Sequence, residues 1–145
     1  MGKLFKTGNA VIDYMVNVKL SRLSETQILV SGNAGDFSDI KDADMTCILG
    51  NILDNAVEAL EKVEKVKRIE LHFTSTKNYR IILCKNSVSA SVLDSNGDLH
   101  TTKTDSDYHG LGHIIVEEIV QKYGGFTDYF EENGMFGVQI SIPVI

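Results

Sequence analysis

The stretch "DADMTCILGNILDNAVEALEKV", residues 42–63, has the strongest periodicity in the chain. Its apolar residues recur at steps of three and one, which is typical of an amphipathic α-helix. Asp42 or Asp44 is placed to begin the helix. At about 100° per residue the apolar positions form one broad arc, and this arc predicts a helix lying on a core.

A polar stripe borders that arc and is harder to explain. Asn51, Asn55 and Glu58 lie on it, with Asn55 nearest the core. Asparagine is a poor helix former because its amide competes for nearby backbone groups. The stripe can be a solvent-facing polar edge. Alternatively, an amide oxygen on it faces a cation such as magnesium, which prefers oxygen ligands and commonly shares them with substrate phosphates.

Composition limits the classes of function. The chain has 145 residues, 43% apolar content and a formal charge of −6 without a basic run. These values predict one domain with a core, and argue against nucleic acid or an anionic membrane as the main partner. Cys47 and Cys84 lack paired-ligand spacing and are predicted to be reduced and buried. No apolar run is long enough for a membrane span and no signal peptide is visible, which predicts a soluble, cytoplasmic chain.

The rest of the chain alternates helical and strand patterns. We predict an N-terminal helix over residues 1–24 with Asn9 as a candidate cap, a short strand at Gln27–Ser31, and the main helix over 42–65. Two strands follow, "RIELHFTS" and "YRIILCKNS". The C-terminal runs around Asn133–Gly134 predict a hairpin. The predicted fold class is α+β, a two-layer sandwich with a mixed, mostly antiparallel sheet on about three helices.

Between the second strand and the hairpin, the chain changes character. Residues 87–109 are rich in small polar residues, and so long a segment without apolar periodicity is often a lid. A helix is predicted over 110–124, opened by Gly110 and Gly112 and stopped at Gly124–Gly125. The first amides of such a helix can bind phosphate, whereas the glycine pair taken alone favours a flexible lead into a helix. Lys103, His109 and His113 are candidate phosphate contacts.

These motifs, in this order, resemble the GHKL ATPase superfamily, which has the Bergerat fold. "NILDNAVEAL" resembles its N-box, "HGLGHIIVEEIVQKYGG" its second glycine box and following helix, and "FGVQISIP" the closing strand of histidine-kinase catalytic domains. Four further stretches resemble the Agr-type peptide-sensing histidine kinases: "GNAVIDYMVNVK", "ILGNILDNAVEAL", "KNS" and "TTKTDSDYHGLGH". The resemblance covers essentially the whole chain, 1–145, as one ATP-binding catalytic domain.

The resemblance implies a role for each candidate residue. It implies that Asn55 binds Mg²⁺, that Asn51 lies near the phosphates as the catalytic residue, and that Asn86 recognises the adenine amino group. The ATP contacts it implies are Asn51, Asn55, Asn86, Lys103, His109, Gly110, Leu111, Gly112 and His113. The cofactors that the resemblance implies are ATP and Mg²⁺. The expected partners are the dimerisation and phosphoacceptor domain of the same kinase and, indirectly, a response regulator. The resemblance also implies the cytoplasmic portion of a membrane-bound sensor.

The sequence departs from the family pattern at several positions. The first glycine box, Asp-x-Gly-x-Gly, is replaced by "NSVSAS", so the Asn86 amide lacks the charge of the usual aspartate. Glu58 stands where many relatives carry a cation, and His113 replaces a common apolar residue. His72, His100, His109 and His113 lie outside any phosphoacceptor box, so the acceptor histidine is expected on helices that this chain does not include.

Two other functions are compatible with these residues. A stand-alone GHKL serine kinase of the anti-sigma-factor type would be about this size. Such kinases usually carry a glutamate base at the position of Asn51, so Asn51 favours the histidine kinase. A degenerate nucleotide-binding scaffold without catalysis is the other alternative, and the missing first glycine box is the feature that favours it.

Overall fold

The computed structural model describes residues 4–89 and 104–144, and for residues 104–111 it describes only the backbone. Three α-helices and five strands make up this part of the chain. The helices are α1 (Ala10–Leu20), α2 (Asp42–Glu61) and α3 (Thr104–Lys122). The strands are β1 (Thr26–Gly32), β2 (Lys67–Ser75), β3 (Tyr79–Ser87), β4 (Phe126–Glu132) and β5 (Met135–Pro143). A short 3-10 helix spans Gly35–Asp39.

The strands form one mixed sheet in the order β1-β2-β3-β5-β4. β1 runs parallel to β2, and the other three pairings are antiparallel. The helices pack on one face of the sheet, with α2 in contact with both α1 and α3. The predicted fold class, a two-layer sandwich with a mixed, mostly antiparallel sheet and three helices, is confirmed.

Helix α2 lies at the centre of the core. Its apolar arc is buried between the other helices and the sheet, as its periodicity predicted. The buried residues of α2 are Met45, Ile48, Leu49, Ile52, Leu53, Ala56 and Leu60. Beneath them, Ile69, Leu71 and Phe73 of β2 and Ile82 and Cys84 of β3 face the helices. Burial of this much apolar surface fixes α2 firmly in the fold.

Helix α1 is shorter than the predicted 1–24. Asn9 caps it, as predicted, because its side chain accepts hydrogen bonds from the backbone N–H groups of Val11 and Ile12. Gly8, with φ of +95°, turns the preceding chain away from the helix axis. Helix α2 likewise ends at Glu61 and not at 65, because the Lys62 N–H closes its last turn on the Ala59 and Leu60 carbonyls.

Helix α3 begins earlier than predicted. It starts at Thr104, six residues before Gly110, so the glycines lie inside the helix and not at its first turn. Residues 104–109, predicted as the end of a lid, are therefore helical, whereas residues 90–103 of that predicted lid lie outside the described residues. Gly124 has φ of +78°, and the Gly125 N–H donates to the Val120 carbonyl, which ends α3 as predicted.

The predicted hairpin is confirmed. Asn133 and Gly134 have φ values of 51° and 74°, the conformation that two-residue hairpin turns of type I′ require. Within the described residues, no helix is both long and apolar enough to cross a membrane.

Candidate functional site

The predicted site residues on α2 and α3 come together where these helices pack. A Cβ atom added to Gly112 would lie 2.9 Å from Oδ1 of Asn51, so the α3 backbone touches the Asn51 amide. Gly112 is buried in this contact. The structure thus brings Asn51 and Gly112, which lie 61 residues apart in the sequence, into direct contact.

A hydrogen bond within α2 orients the Asn51 amide. Its Nδ2 donates to the Cys47 carbonyl at 2.7 Å and lies 3.6 Å from the Cys47 sulfur. With the amino group held there, the amide oxygen faces Gly112. Asn51 therefore presents an acceptor, not a donor, to the space between the helices.

Asn55 lies one turn further along α2 on the same side and is half-buried. Its amide oxygen is a neutral ligand of the kind that magnesium accepts. Among the described residues, no group of three or more His, Cys, Asp or Glu side chains could hold a metal. Asn55 therefore fits a divalent cation that takes its anionic ligands from a bound molecule such as a nucleotide.

Asn86 is the predicted site residue that lies on the sheet. It lies near the end of β3 with only 5% of its surface exposed, on the same helix-facing side as Ile82 and Cys84. Its Nδ2 donates to the Ser87 carbonyl at 3.1 Å. This places a buried amide at the sheet end, close to the layer that carries Asn51 and Asn55.

His113 points towards the sheet in this structure. Its Nδ1 lies 3.1 Å from the Tyr129 hydroxyl, and the two rings meet edge to face at 5.1 Å. The Tyr129 hydroxyl donates to Glu117 at 3.3 Å, so His113 Nδ1–H donates to Tyr129 in the tautomer that fits. Burial raises the pKa of Tyr129, and the nearby Glu117 carboxylate raises it further. The role of His113 as a phosphate contact stays a prediction.

The other predicted nucleotide contacts lie in the first half of α3 or just before it. His109, Gly110 and Leu111 belong to the backbone of α3, and Lys103 lies outside the described residues. Because α3 is continuous from Thr104, the amides of Gly110 and Gly112 fall beyond its first four N–H groups, which alone lack helical partners. Sequence periodicity did not reveal this early start.

A second group of residues joins the two helices and was missed. The Tyr123 hydroxyl donates to Asp44 Oδ2 at 2.5 Å and accepts the Lys41 N–H at 3.0 Å. Lys122 Nζ lies 2.8 Å from the same Asp44 oxygen. Hydrogen bonding from Lys122, and then from Tyr123, holds the pKa of Asp44 below its ordinary value. Asp44 was noted only as a helix start, and no pattern linked it to Tyr123.

An open cavity of about 1020 Å³ lies elsewhere. It is bordered by the α2–β2 loop, the charged side of β2 and β3 around Arg68, Glu70 and Lys85, and the β4–β5 turn. Alternation along β2 puts Arg68 and Glu70 on the sheet face away from Ile69 and the helices. None of Asn51, Asn55, Asn86 or Gly112 borders this cavity. We place the candidate site at the contact between α2 and α3, where Asn51 meets Gly112, and the part of Asn86 in it stays a prediction.

Comparison with known proteins identifies the family of this chain. Residues 40–143 match the GHKL domain family. The sensor histidine kinase NatK of Bacillus subtilis (strain 168) is 27% identical over 105 residues, which cover 70% of this chain and 33% of NatK. The chain thus spans about a third of the length of that curated relative.

Solved structures share the fold. The catalytic domain of the histidine kinase ThkA superposes with a TM-score of 0.72 at 16% identity, covering 94% of both chains. The mycobacterial sensor histidine kinase MprB superposes with a TM-score of 0.66 at 18% identity, covering 92% of this chain and 93% of MprB. At these identities the likeness concerns the fold alone. The family match spans most of the chain, from before α2 to the end of β5, and this chain belongs to the GHKL domain family.

Proposed function

We propose that this chain is the ATP-binding catalytic domain of a sensor histidine kinase. In this proposal it binds Mg-ATP and donates the γ-phosphoryl group to a histidine on a separate dimerisation domain. The observation that carries it is the contact between Asn51 on α2 and Gly112 on α3, with Asn55 one turn further along α2. Family membership and the likeness to the sensor histidine kinase NatK support the assignment.

Each residue has a part in holding the nucleotide. The buried Asn86 oxygen accepts from the adenine amino group once its amide turns from Ser87. Asn51 and the α3 backbone border the phosphates, with Lys103 and His109 as further contacts. Magnesium offsets phosphate charge when bound, and the Asn55 oxygen is its protein ligand. Phosphoryl transfer depends mainly on positioning and charge stabilisation, so these residues hold the nucleotide while the ring nitrogen of the separate acceptor histidine attacks the γ-phosphorus and ADP leaves.

Phosphate binding by the glycine amides would change the start of α3. An amide within a helix already donates to the carbonyl four residues earlier. For the amides of Gly110 and Gly112 to bind phosphate, the turns before them must open, so that the helix begins near Gly110. Glycine weakens a helix interior by about 1 kcal/mol relative to alanine, which lowers the cost of this opening.

The test is a calorimetric titration with a non-hydrolysable ATP analogue, with and without magnesium. We expect magnesium-dependent binding by the parent chain. Asn55→Ala should lose the magnesium-dependent part of the affinity while its melting temperature stays unchanged. The matched control is Asp54→Ala on the same helix, because Asp54 is exposed and pairs with Lys19 at 2.9 Å. Equal affinities in the parent and Asn55→Ala would contradict the assignment of Asn55.

A second experiment tests whether the histidine that accepts the phosphoryl group lies outside this chain. Incubation with γ-labelled Mg-ATP should leave no acid-labile label on this chain alone. Of the candidate acceptors, His72 lies on β2 bonded to Glu70, and in-line attack requires an acceptor that approaches from outside the site. Acid-labile label that disappears on substitution of His72, His100, His109 or His113 would show an internal acceptor.

A further inference from the structure

Besides the apolar packing of α3, two polar contacts join it to α2, and they differ in kind. Tyr123, at the end of α3, meets Asp44 in the first turn of α2, and Gly112, further back along α3, meets Asn51 in the middle of α2. The two helices therefore run antiparallel. The first contact is a network of hydrogen bonds, whereas the second is a close approach of backbone to an amide oxygen.

The C-terminal end of α3, next to Tyr123, is held by backbone hydrogen bonds and by hydrogen bonds of the Tyr123 hydroxyl. The Gly124 N–H donates to the Gln121 carbonyl at 2.9 Å, and the Gly125 N–H donates to the Val120 carbonyl at 2.9 Å, which is the pattern of a Schellman motif. Tyr123 is the last residue before this turn, so its ring direction is set by the chain reversal. Its hydroxyl reaches both the Lys41 N–H and the Asp44 carboxylate.

The acceptor in this contact is well defined. The Asp44 side chain is 14% exposed and receives both Tyr123 and Lys122 on Oδ2. A charged acceptor makes the Tyr123 hydrogen bond stronger than one between neutral groups. Lys122 is 58% exposed, so solvent screens its share of the interaction, and the Tyr123 hydroxyl is the directional part of the contact.

A small tilt of α3 at Tyr123 would displace Gly112 relative to Asn51. We call the Tyr123–Asp44 contact the anchor. Gly112 precedes Tyr123 by eleven residues, about 16 Å along a helix axis. A tilt of about 5° at Tyr123 would move Gly112 by about 1.4 Å at that helical rise. The Gly112–Asn51 approach leaves no room for such a movement towards α2, and a movement of about 1 Å in any direction is enough to disturb ligand geometry.

We propose that Tyr123 and Asp44 are positioning residues that set the height of the α3 backbone over Asn51, and thereby the phosphate part of nucleotide binding. This inference rests on the proposed function. It predicts that loss of the anchor weakens the binding of phosphates but not of the adenine base. The base would rest on Asn86, which belongs to the sheet and does not move with α3.

Tyr123→Phe is the test variant because it removes one oxygen and keeps the ring. Asp44→Asn removes the charge from the other side of the same contact. Tyr79→Phe is the matched control, since Tyr79 lies on β3 with its ring against Phe126, away from α2 and α3. Titrations with the ATP analogue plus magnesium, and NMR titrations with adenosine, are run well below each variant's melting temperature.

We expect Tyr123→Phe and Asp44→Asn each to weaken ATP-analogue binding about fivefold, because each removes or weakens the hydrogen bond that positions α3. Adenosine affinity should stay at the parent value, and Tyr79→Phe should match the parent with both ligands. The double variant should be weaker than either single variant by much less than the product of the two losses, because both changes act on the Tyr123–Asp44 hydrogen bond, and each also affects one separate partner, Lys41 or Lys122.

Three outcomes would overturn the inference. Parent-like ATP-analogue affinity in both anchor variants would show that the contact does not position α3. Equal losses for adenosine and for the ATP analogue would show a merely structural role. Failure of the parent chain to bind either ligand would overturn the proposed function and this inference with it, whereas the first two outcomes overturn the anchor alone.

Discussion

Helices α2 and α3 each carry half of the candidate site, and they are held in the fold in different ways. α2 buries seven side chains between α1, α3 and the sheet, and five of the seven are apolar residues of Ile or Leu type. α3 packs against α2, β4 and β5, and its buried residues in the part with described side chains are Gly112, Val116 and Val120. Folding therefore fixes Asn51 and Asn55, whereas the glycine end of α3 depends on where that helix begins.

The largest expected effect is on α2. Leu53 is fully buried, and Leu53→Ala should lower the free energy of unfolding by about 3 kcal/mol through lost burial and the cavity left behind. On α3, Ile114 is 37% exposed, and Ile114→Ala should cost less than about 1 kcal/mol. Urea unfolding of both variants measures the contrast. Equal losses of unfolding free energy would mean that α2 and α3 are held in the fold equally strongly, and would contradict the difference between them.

The difference between the helices also explains what the sequence could predict. α2 was predicted because its burial follows a period set by the helix itself, from Met45 to Leu60. The hairpin at Asn133–Gly134 was predicted because its turn depends on two neighbouring residues that tolerate positive φ. In both cases the signal is local.

Contacts between distant residues left no such signal. The Tyr123–Asp44 hydrogen bond joins residues 79 apart, and the parallel pairing of β1 with β2 joins strands separated by α2. The start of α3 was misplaced for a different reason. Glycines 110 and 112 were read as a helix opening, but the cost of two glycines in a helix is only about 2 kcal/mol, which other turns can outweigh. The site roles themselves came from family resemblance and stay predictions.

The second prediction concerns the sheet beneath both helices. Asn86→Asp should lower the free energy of unfolding by about 1–3 kcal/mol without ligand, because it buries a carboxylate beside the Ser87 carbonyl. The same change should strengthen ATP-analogue binding, since a carboxylate accepts the adenine amino group with charge assistance. Urea unfolding and titration measure the two effects. Weaker ATP-analogue binding by Asn86→Asp would contradict the assignment of Asn86 to the adenine site.

The third prediction compares one glycine from each helix. An added Cβ at Gly50 of α2 would meet Met15 Cε at an ordinary 3.5 Å, so Gly50→Ala should stabilise the chain by up to about 1 kcal/mol. At Gly112 the new Cβ would lie 2.9 Å from Asn51 Oδ1 and displace it. Gly112→Ala should therefore gain less stability and weaken ATP-analogue binding. If both variants gain equally and bind alike, the close approach at Gly112 has no functional meaning.

The smallest expected effect is the pH dependence of the stability that the Tyr123–Asp44 contact gives to the fold. Lys122, followed by Tyr123, holds the pKa of Asp44 below its ordinary value of 3.8, against a smaller opposing contribution from burial. A carboxyl whose folded-state pKa is depressed stabilises the fold above its ordinary pKa, and this contribution is lost as pH falls through the folded-state pKa. Asp44→Asn should thus lower the melting temperature by about 3 °C near neutral pH.

The decisive measurement is the difference in melting temperature between the parent and Asp44→Asn as a function of pH. It should stay constant from pH 7 to about 5 and shrink only below pH 3.8, where the parent also loses the Asp44 charge. Other carboxyls, such as Glu70 beside His72, titrate in both proteins and cancel in this difference. A difference that persists unchanged at about pH 2 would mean that the substituted amide disturbs packing at the start of α2, and that the Asp44 charge does not hold α3.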